Sequence, residues 1–139
     1  FTKRSLPPEV WNTYYKFTVE RNSWELAVSA YWWFRHKHDL DLSFSTFARS
    51  RDLIKYSNWR LYTIDDRIAV DEVIHYETLT TSLQDLSSRV GLPEMLDLPR
   101  EKSGLRPLRP YQEMYDEESR ERIADVFRRE IDTFGWTFE

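Results

Sequence analysis

The sequence changes its period between Glu20 and Asn22, and that switch narrows the folds open to the chain. Residues 14–20 (YYKFTVE) alternate and are rich in aromatic and β-branched side chains. That pattern predicts a strand with Tyr15, Phe17 and Val19 on one face. Asn22 is a good N-cap residue, and Glu25 follows three positions later, as in a capping box. Trp24, Ala27, Val28, Tyr31 and Phe34 then recur at helical spacing. A strand therefore runs directly into a helix, with Arg21 at the junction.

Elements of the same two kinds continue along the chain. Pro7 and Pro8 suit the first turn of a short helix within residues 1–13, because the missing N–H is unpaired there anyway. Residues 42–51 predict a shorter helix with Phe44, Phe47 and Ala48 facing inward. Residues 59–64 and 67–70 predict a hairpin around Asp65 and Asp66. Residues 70–76 (VDEVIHY) predict a second central strand. Thr81 is the expected cap of the next helix, with Gln84 at its capping-box position; Leu83, Leu86 and Val90 line it, and Gly91 and Pro93 end it. Residues 93–112 hold four prolines and no clear period, which predicts a long loop. The last helix is capped by Asp116, carries Glu117 and Glu118 near its positive end, and is lined by Ile123, Phe127, Ile131 and Phe134. Gly135 stops it, and Trp136–Thr137–Phe138 is expected to pack back. Strands alternating with helices favour a mostly parallel sheet covered by helices.

Composition excludes several classes of function. The chain has 139 residues, among them six Trp, eight Tyr and eight Phe, enough aromatic area for one folded domain. The 24 acidic residues outnumber the 20 basic ones, a poor match to a nucleic-acid binder, which needs a basic face. Positive charge is concentrated locally instead. Arg100, Lys102, Arg106 and Arg109 stand against Glu101 alone in residues 98–110, which points to a small anionic ligand, with a solvated loop as the alternative. There is no cysteine, so disulfides and thiolate metal sites are excluded. The absence of cysteine fits a reducing, cytoplasmic setting. No apolar run is long enough for a membrane span. Of the three histidines, His36 and His38 do not share a helix face and His75 lies in a strand, so no metal site is expected.

The strand–helix junction carries the sharpest chemistry. Ligands of open α/β sheets bind at the C-terminal ends of strands, where Arg21 sits. Its planar fork of donors matches phosphate oxygens, and the hydroxyl of Ser29, two turns along the helix, can add a bond. The plainer alternative is an arginine paired with a nearby carboxylate and a serine filling a tight helix contact.

Residues 11–22 (WNTYYKFTVERN), followed by Val28-Ser29-Ala30-Tyr31, resemble the 3′-phosphate-binding segment of Golgi-type and bacterial carbohydrate sulfotransferases, which typically reads YFKFTVVRNPWDRLVSAYY. Two more segments follow in the family's order. Residues 70–79 with Leu86 and residues 90–93 are similar to VDFVIRFENL…L…LGLP. Residues 111–117, continuing through Phe127, Ile131 and residues 134–138, are similar to the family's closing YYDEETRELVAEIFAKDIELFGYEF. The resemblance covers nearly the whole chain and departs at Ser23, where the family usually has Pro. It implies a P-loop NTPase-like sulfotransferase fold: a helix-rich α/β domain over residues 1–139 with a partial parallel sheet flanked by helices. It also implies 3′-phosphoadenosine-5′-phosphosulfate (PAPS) as co-substrate, without a metal. The acceptor would be the hydroxyl or amine of a carbohydrate or small molecule. Arg21 and Ser29 map onto the 3′-phosphate ligands, and Lys102, Ser103 and Arg106 onto the stretch that reaches over the nucleotide.

The family's glycine-containing phosphosulfate loop has no counterpart before Tyr14; the three glycines are Gly91, Gly104 and Gly135. The chain is therefore expected to be N-terminally incomplete and, if whole, weakly active or inactive. No catalytic base is assigned. A non-catalytic nucleotide- or phosphate-binding protein of the same fold is the second reading, and a helical interaction module using its aromatic surface is the third. An incomplete sheet also leaves room for homo-oligomer formation through a strand edge.

Overall fold

The structure, a computed structural model, describes residues 6–92, 104, 106–107 and 109–139. Pro8 opens the first helix, α1 (Pro8–Thr13). The first strand, β1 (Phe17–Glu20), is shorter than its sequence pattern. Tyr14 and Tyr15 lie outside it and are exposed. Helix α2 (Ser23–His38) follows after two residues and is the longest element among the described residues. Helix α3 (Phe44–Arg49) is capped by Ser43, and a 3-10 turn covers Leu53–Tyr56. Residues 59–64 split between a helical turn, α4 (Trp59–Tyr62), and strand β2 (Thr63–Ile64). The hairpin partner is β3 (Arg67–Ile68). Asp65 and Asp66 at its tip both have positive φ, 51° and 58°, as a two-residue hairpin turn requires.

Strand β4 (Glu72–His75) pairs in parallel with β1, from Phe17 opposite Glu72 to Glu20 opposite His75. Helix α5 (Leu79–Arg89) follows a 3-10 turn. It starts two residues before Thr81, whose hydroxyl bonds back to the Thr78 carbonyl at 2.9 Å instead of capping. The expected final helix is two, α6 (Glu117–Val126) and α7 (Arg128–Phe134), parted at Phe127. Asp116 and Ser119 form a reciprocal capping box on α6. The Ser119 N–H donates to the Asp116 carboxylate at 2.7 Å and the Ser119 hydroxyl accepts the Asp116 N–H at 3.0 Å; the Ser119 side chain and then its N–H hold the Asp116 carboxyl down to about 2.

Two apolar clusters support these elements. The larger joins Trp24, Ala27, Val28 and Tyr31 of α2 to Phe44, Phe47 and Ala48 of α3 and to Leu53, Ile123 and Phe127. The C-terminal segment folds back as expected: the Phe138 ring meets Trp24 edge-on at 5.2 Å. The smaller cluster sets Ile74 against Leu83 and Leu86, with Val19 and Leu79 beside it. Parallel strands favour burial on both faces, and here α5 supplies one cover. His75 packs among rings, 4.7 Å from Trp136 and 5.8 Å from Phe134. The chain is thus a helix-rich α/β protein with a small two-stranded parallel sheet and a separate hairpin.

The other face of β1 holds an acid. Glu20 is 1% exposed and Glu130 2%. Glu20 Oε1 accepts from Asn58 Nδ2 at 3.4 Å and from the Arg21 N–H at 3.2 Å. Its Oε2 has no hydrogen-bond partner among the described residues. The Ser57 hydroxyl donates to Glu130. Burial, reinforced by the Glu130 charge and opposed by hydrogen bonds, raises the Glu20 carboxyl above its ordinary value of 4.5; burial and these two acids also raise the Tyr62 hydroxyl. A carboxyl raised in the folded state contributes its stability below the unfolded value and loses it as pH rises through the folded one. Stability should therefore fall as pH rises above the usual carboxylate range, and Glu20→Gln should flatten that fall. Urea unfolding midpoints of both proteins across pH check it; parallel curves would refute it.

Candidate functional site

Residues 21–29 form the predicted junction, at the C-terminal end of β1 and the start of α2. Asn22 caps α2, its Oδ1 accepting the Trp24 N–H at 3.0 Å. The expected reciprocal bond from Glu25 is not the one that forms. Glu77 Oε1 takes the Asn22 N–H instead, at 3.0 Å, so β4 and the start of α2 are tied together at the strand ends.

Glu25 turns to the arginines. Its Oε2 accepts from Arg21 Nε at 2.9 Å and Nη2 at 2.7 Å. Its Oε1 lies 3.3 Å from Arg106 Nη1. The Arg21 guanidinium also stacks on Tyr76, 4.5 Å from the ring centroid. Burial works to raise the Glu25 carboxyl, but Arg21 and then Arg106 outweigh it and hold it below the usual range. Arg21 and Arg106 keep 21% and 23% of their side-chain surface exposed, so both still reach solvent.

Glu25 and Ser29, four residues apart, share one stripe of α2, and Arg21, just before the N-cap, reaches Glu25 from beyond the helix start. Ser29 is half-buried. Of the five sequence-predicted ligands, the structure brings Arg21 and Arg106 onto one carboxylate and puts Ser29 one turn beyond it. Lys102 and Ser103 lie outside the described residues. Glu25 occupies the stretch between Arg21 and Ser29, so the paired-arginine alternative is realised there. Sequence reasoning gave Glu25 only a capping role and gave Tyr76 none. The four-residue spacing from Arg21 to Glu25 was the available signal, weakened because acid-before-base is the better helical order. Tyr76 has no local signal; strand pairing alone brings it to Arg21.

Two clefts lie elsewhere. A cleft of about 310 Å³ runs beside β1, walled by Trp11, Tyr15, Phe17, Leu61 and Tyr62. Another, of about 400 Å³, is bordered by Ser57, Trp59 and Glu130. Among the described residues no group of three or more His, Cys, Asp or Glu is placed to hold a metal ion, and no helix is long and apolar enough to cross a membrane.

The class defined by these elements is the helix-rich α/β protein already described, with two arginines converging at the end of a parallel strand. The chain is 32% identical over 94 residues to an uncharacterized protein of Archaeoglobus fulgidus, a match covering 65% of this chain and 78% of the archaeal one. The chain belongs to the same family as that archaeal protein. No protein-family profile and no solved structure matches it.

Ser23 occupies the first position of α2, where Pro is well tolerated. Its hydroxyl is buried without a hydrogen-bond partner among the described residues. Asn22 has φ −44° and ψ 120°, an extended conformation that a following proline accepts. Ser23→Pro should raise stability by about 0.4–1 kcal/mol through the unfolded state. A urea unfolding midpoint at or below that of the parent chain would show the turn to be incompatible.

Proposed function

We propose that this chain is a PAPS-dependent sulfotransferase domain, with Arg21, Ser29 and Arg106 forming the pocket for the nucleotide's 3′-phosphate. The observation that carries the proposal is the convergence of Arg21 and Arg106, distant in sequence, at the C-terminal end of a parallel strand and the start of a long helix. That edge is the usual ligand side of α/β sheets. Helix-start N–H groups and guanidinium forks both favour phosphate oxygens. The ordered sequence resemblance supplies the particular ligand, and the P-loop-like sulfotransferase fold is part of the same proposal. The exposed Tyr76 face under Arg21 adds a rigid support.

In the proposed reaction, the acceptor oxygen or nitrogen bonds to sulfur as the sulfur–oxygen bond to the 5′-phosphate breaks in line. A base takes the acceptor proton, and the nucleotide bisphosphate leaves. The residues named here act on the nucleotide: they fix its 3′ end and so position the group that transfers. The acceptor is proposed to be a carbohydrate or small molecule and the setting cytoplasmic. A binding-only protein of the same fold shares this site. The observation favouring that second reading is the Glu25 carboxylate already seated against both arginines.

Calorimetric titration with adenosine 3′,5′-bisphosphate tests the site. Arg21→Ala should weaken binding by about 1.5–3 kcal/mol, the usual worth of a charge-assisted hydrogen bond. Unchanged affinity, or no binding by the parent chain, would reject the reading. Sulfate transfer from PAPS to carbohydrate acceptors separates the transferase from the binding-only protein.

A further inference from the structure

The carboxylate between the two arginines has opposing effects on an anion. As a negative charge it repels one, and as an acceptor it decides where both guanidiniums point. We infer that the second effect dominates and that Glu25 is the positioning residue of the site, coupling Arg21 to Arg106. This inference rests on the anion-site reading above and adds the device that holds the site open.

The geometry is specific about the division of labour. One oxygen takes both Nε and Nη2 of Arg21, at 2.9 and 2.7 Å, which fixes the guanidinium along one edge. Tyr76 supports its face at 4.5 Å. The remaining nitrogen, Nη1, has no hydrogen bond among the described residues and keeps its two donors for a ligand. The second Glu25 oxygen takes Arg106 Nη1 at 3.3 Å, across 81 positions of sequence. Two guanidiniums this close would otherwise repel each other. One carboxylate between them leaves a single net positive charge, next to the positive end of the 16-residue helix α2. The Asn22 N–H is already satisfied by Glu77, so Glu25 is free of the capping duty its position suggests.

The Arg106 contact also gives Glu25 a part in placing the chain near residue 106. Tyr111 and Tyr115, further along the chain, are anchored nearby. The Tyr115 hydroxyl donates to the Trp24 carbonyl at 2.7 Å, and that of Tyr111 to the Phe138 carbonyl at 2.8 Å. The Arg106–Glu25 pair thus lies over the first turn of α2, beside a well-packed aromatic wall.

Two substitutions separate position from charge. Glu25→Asp keeps the charge but shortens the reach by one methylene. Glu25→Gln keeps the shape but presents an amide N–H₂ to one of the two guanidiniums. Positioning requires both to weaken adenosine 3′,5′-bisphosphate binding, Glu25→Gln by roughly tenfold, with melting temperatures near that of the parent chain. It also requires that Arg106→Gln cost less affinity in the Glu25→Gln background than in the parent, the non-additivity expected of coupled groups. Unchanged affinity in Glu25→Asp with tighter binding in Glu25→Gln would overturn the inference and make Glu25 a competing counterion, leaving the anion site itself intact. No effect of Arg21→Ala would remove the anion site and the inference together. If Glu25→Gln fails to fold, Glu25→Asp alone and the same Arg106→Gln cycle in the Glu25→Asp background decide the matter.

Discussion

Four residues of parallel pairing between β1 and β4 hold the functional end of this protein in place. The register sets Glu20 beside His75, and each strand then delivers its next residues to the same edge: Arg21 and Asn22 from one, Tyr76 and Glu77 from the other. The Asn22–Glu77 hydrogen bond and the Arg21–Tyr76 stack are direct consequences. A slip of one residue would turn every side chain to the opposite face and separate both pairs. So short a sheet cannot secure its own register; α5 does much of that work, through Leu83 and Leu86 against Ile74. At the far end, Arg89 bonds Glu72 and the Tyr15 hydroxyl, which itself donates to Glu72 at 2.7 Å.

The helices were legible where periodicity and caps agreed. Asn22, Asp116 and Gly135 mark real boundaries, and the inward faces of α2 and α3 are the ones their spacing predicted. The failures have local causes. Residues 59–62 carry a strand-like composition but fold as a helical turn. There Trp59 and Tyr62, three apart, are both buried, and the Thr63 hydroxyl bonds back to the Trp59 carbonyl at 2.6 Å. Phe17 fits a strand pattern yet is 46% exposed, while Glu20, which the pattern leaves outside, is nearly inaccessible. Alternation tells which residues share a face, but not which face the rest of the chain covers.

The candidate site was legible in its residue types and not in its wiring. Arg21 and Ser29 are visible as a strand tip and a helix position, and Arg106 as part of a basic stretch. That one carboxylate joins Arg21 to Arg106 depends on how the C-terminal segment returns across α2. That path is set by aromatic packing, with the Tyr115 ring 4.8 Å from Phe44 and Phe138 5.2 Å from Trp24. No local pattern encodes it.

Net charge is a poor guide to such a site. The chain as a whole is acidic, and many of its carboxylates are spent in pairs far from residues 21–29, such as Arg49 with Glu118 and Lys16 with Asp71. An exposed pair of that kind contributes little stability and, beyond roughly 10 Å, is largely screened from a distant ligand. What an anion meets is the local sum: two guanidiniums, one carboxylate and the start of a helix. Glu77 is bonded to the Asn22 N–H, and that hydrogen bond fixes its direction. The balance at the site is therefore set by where Glu25 points, so geometry and charge act there through the same side chain.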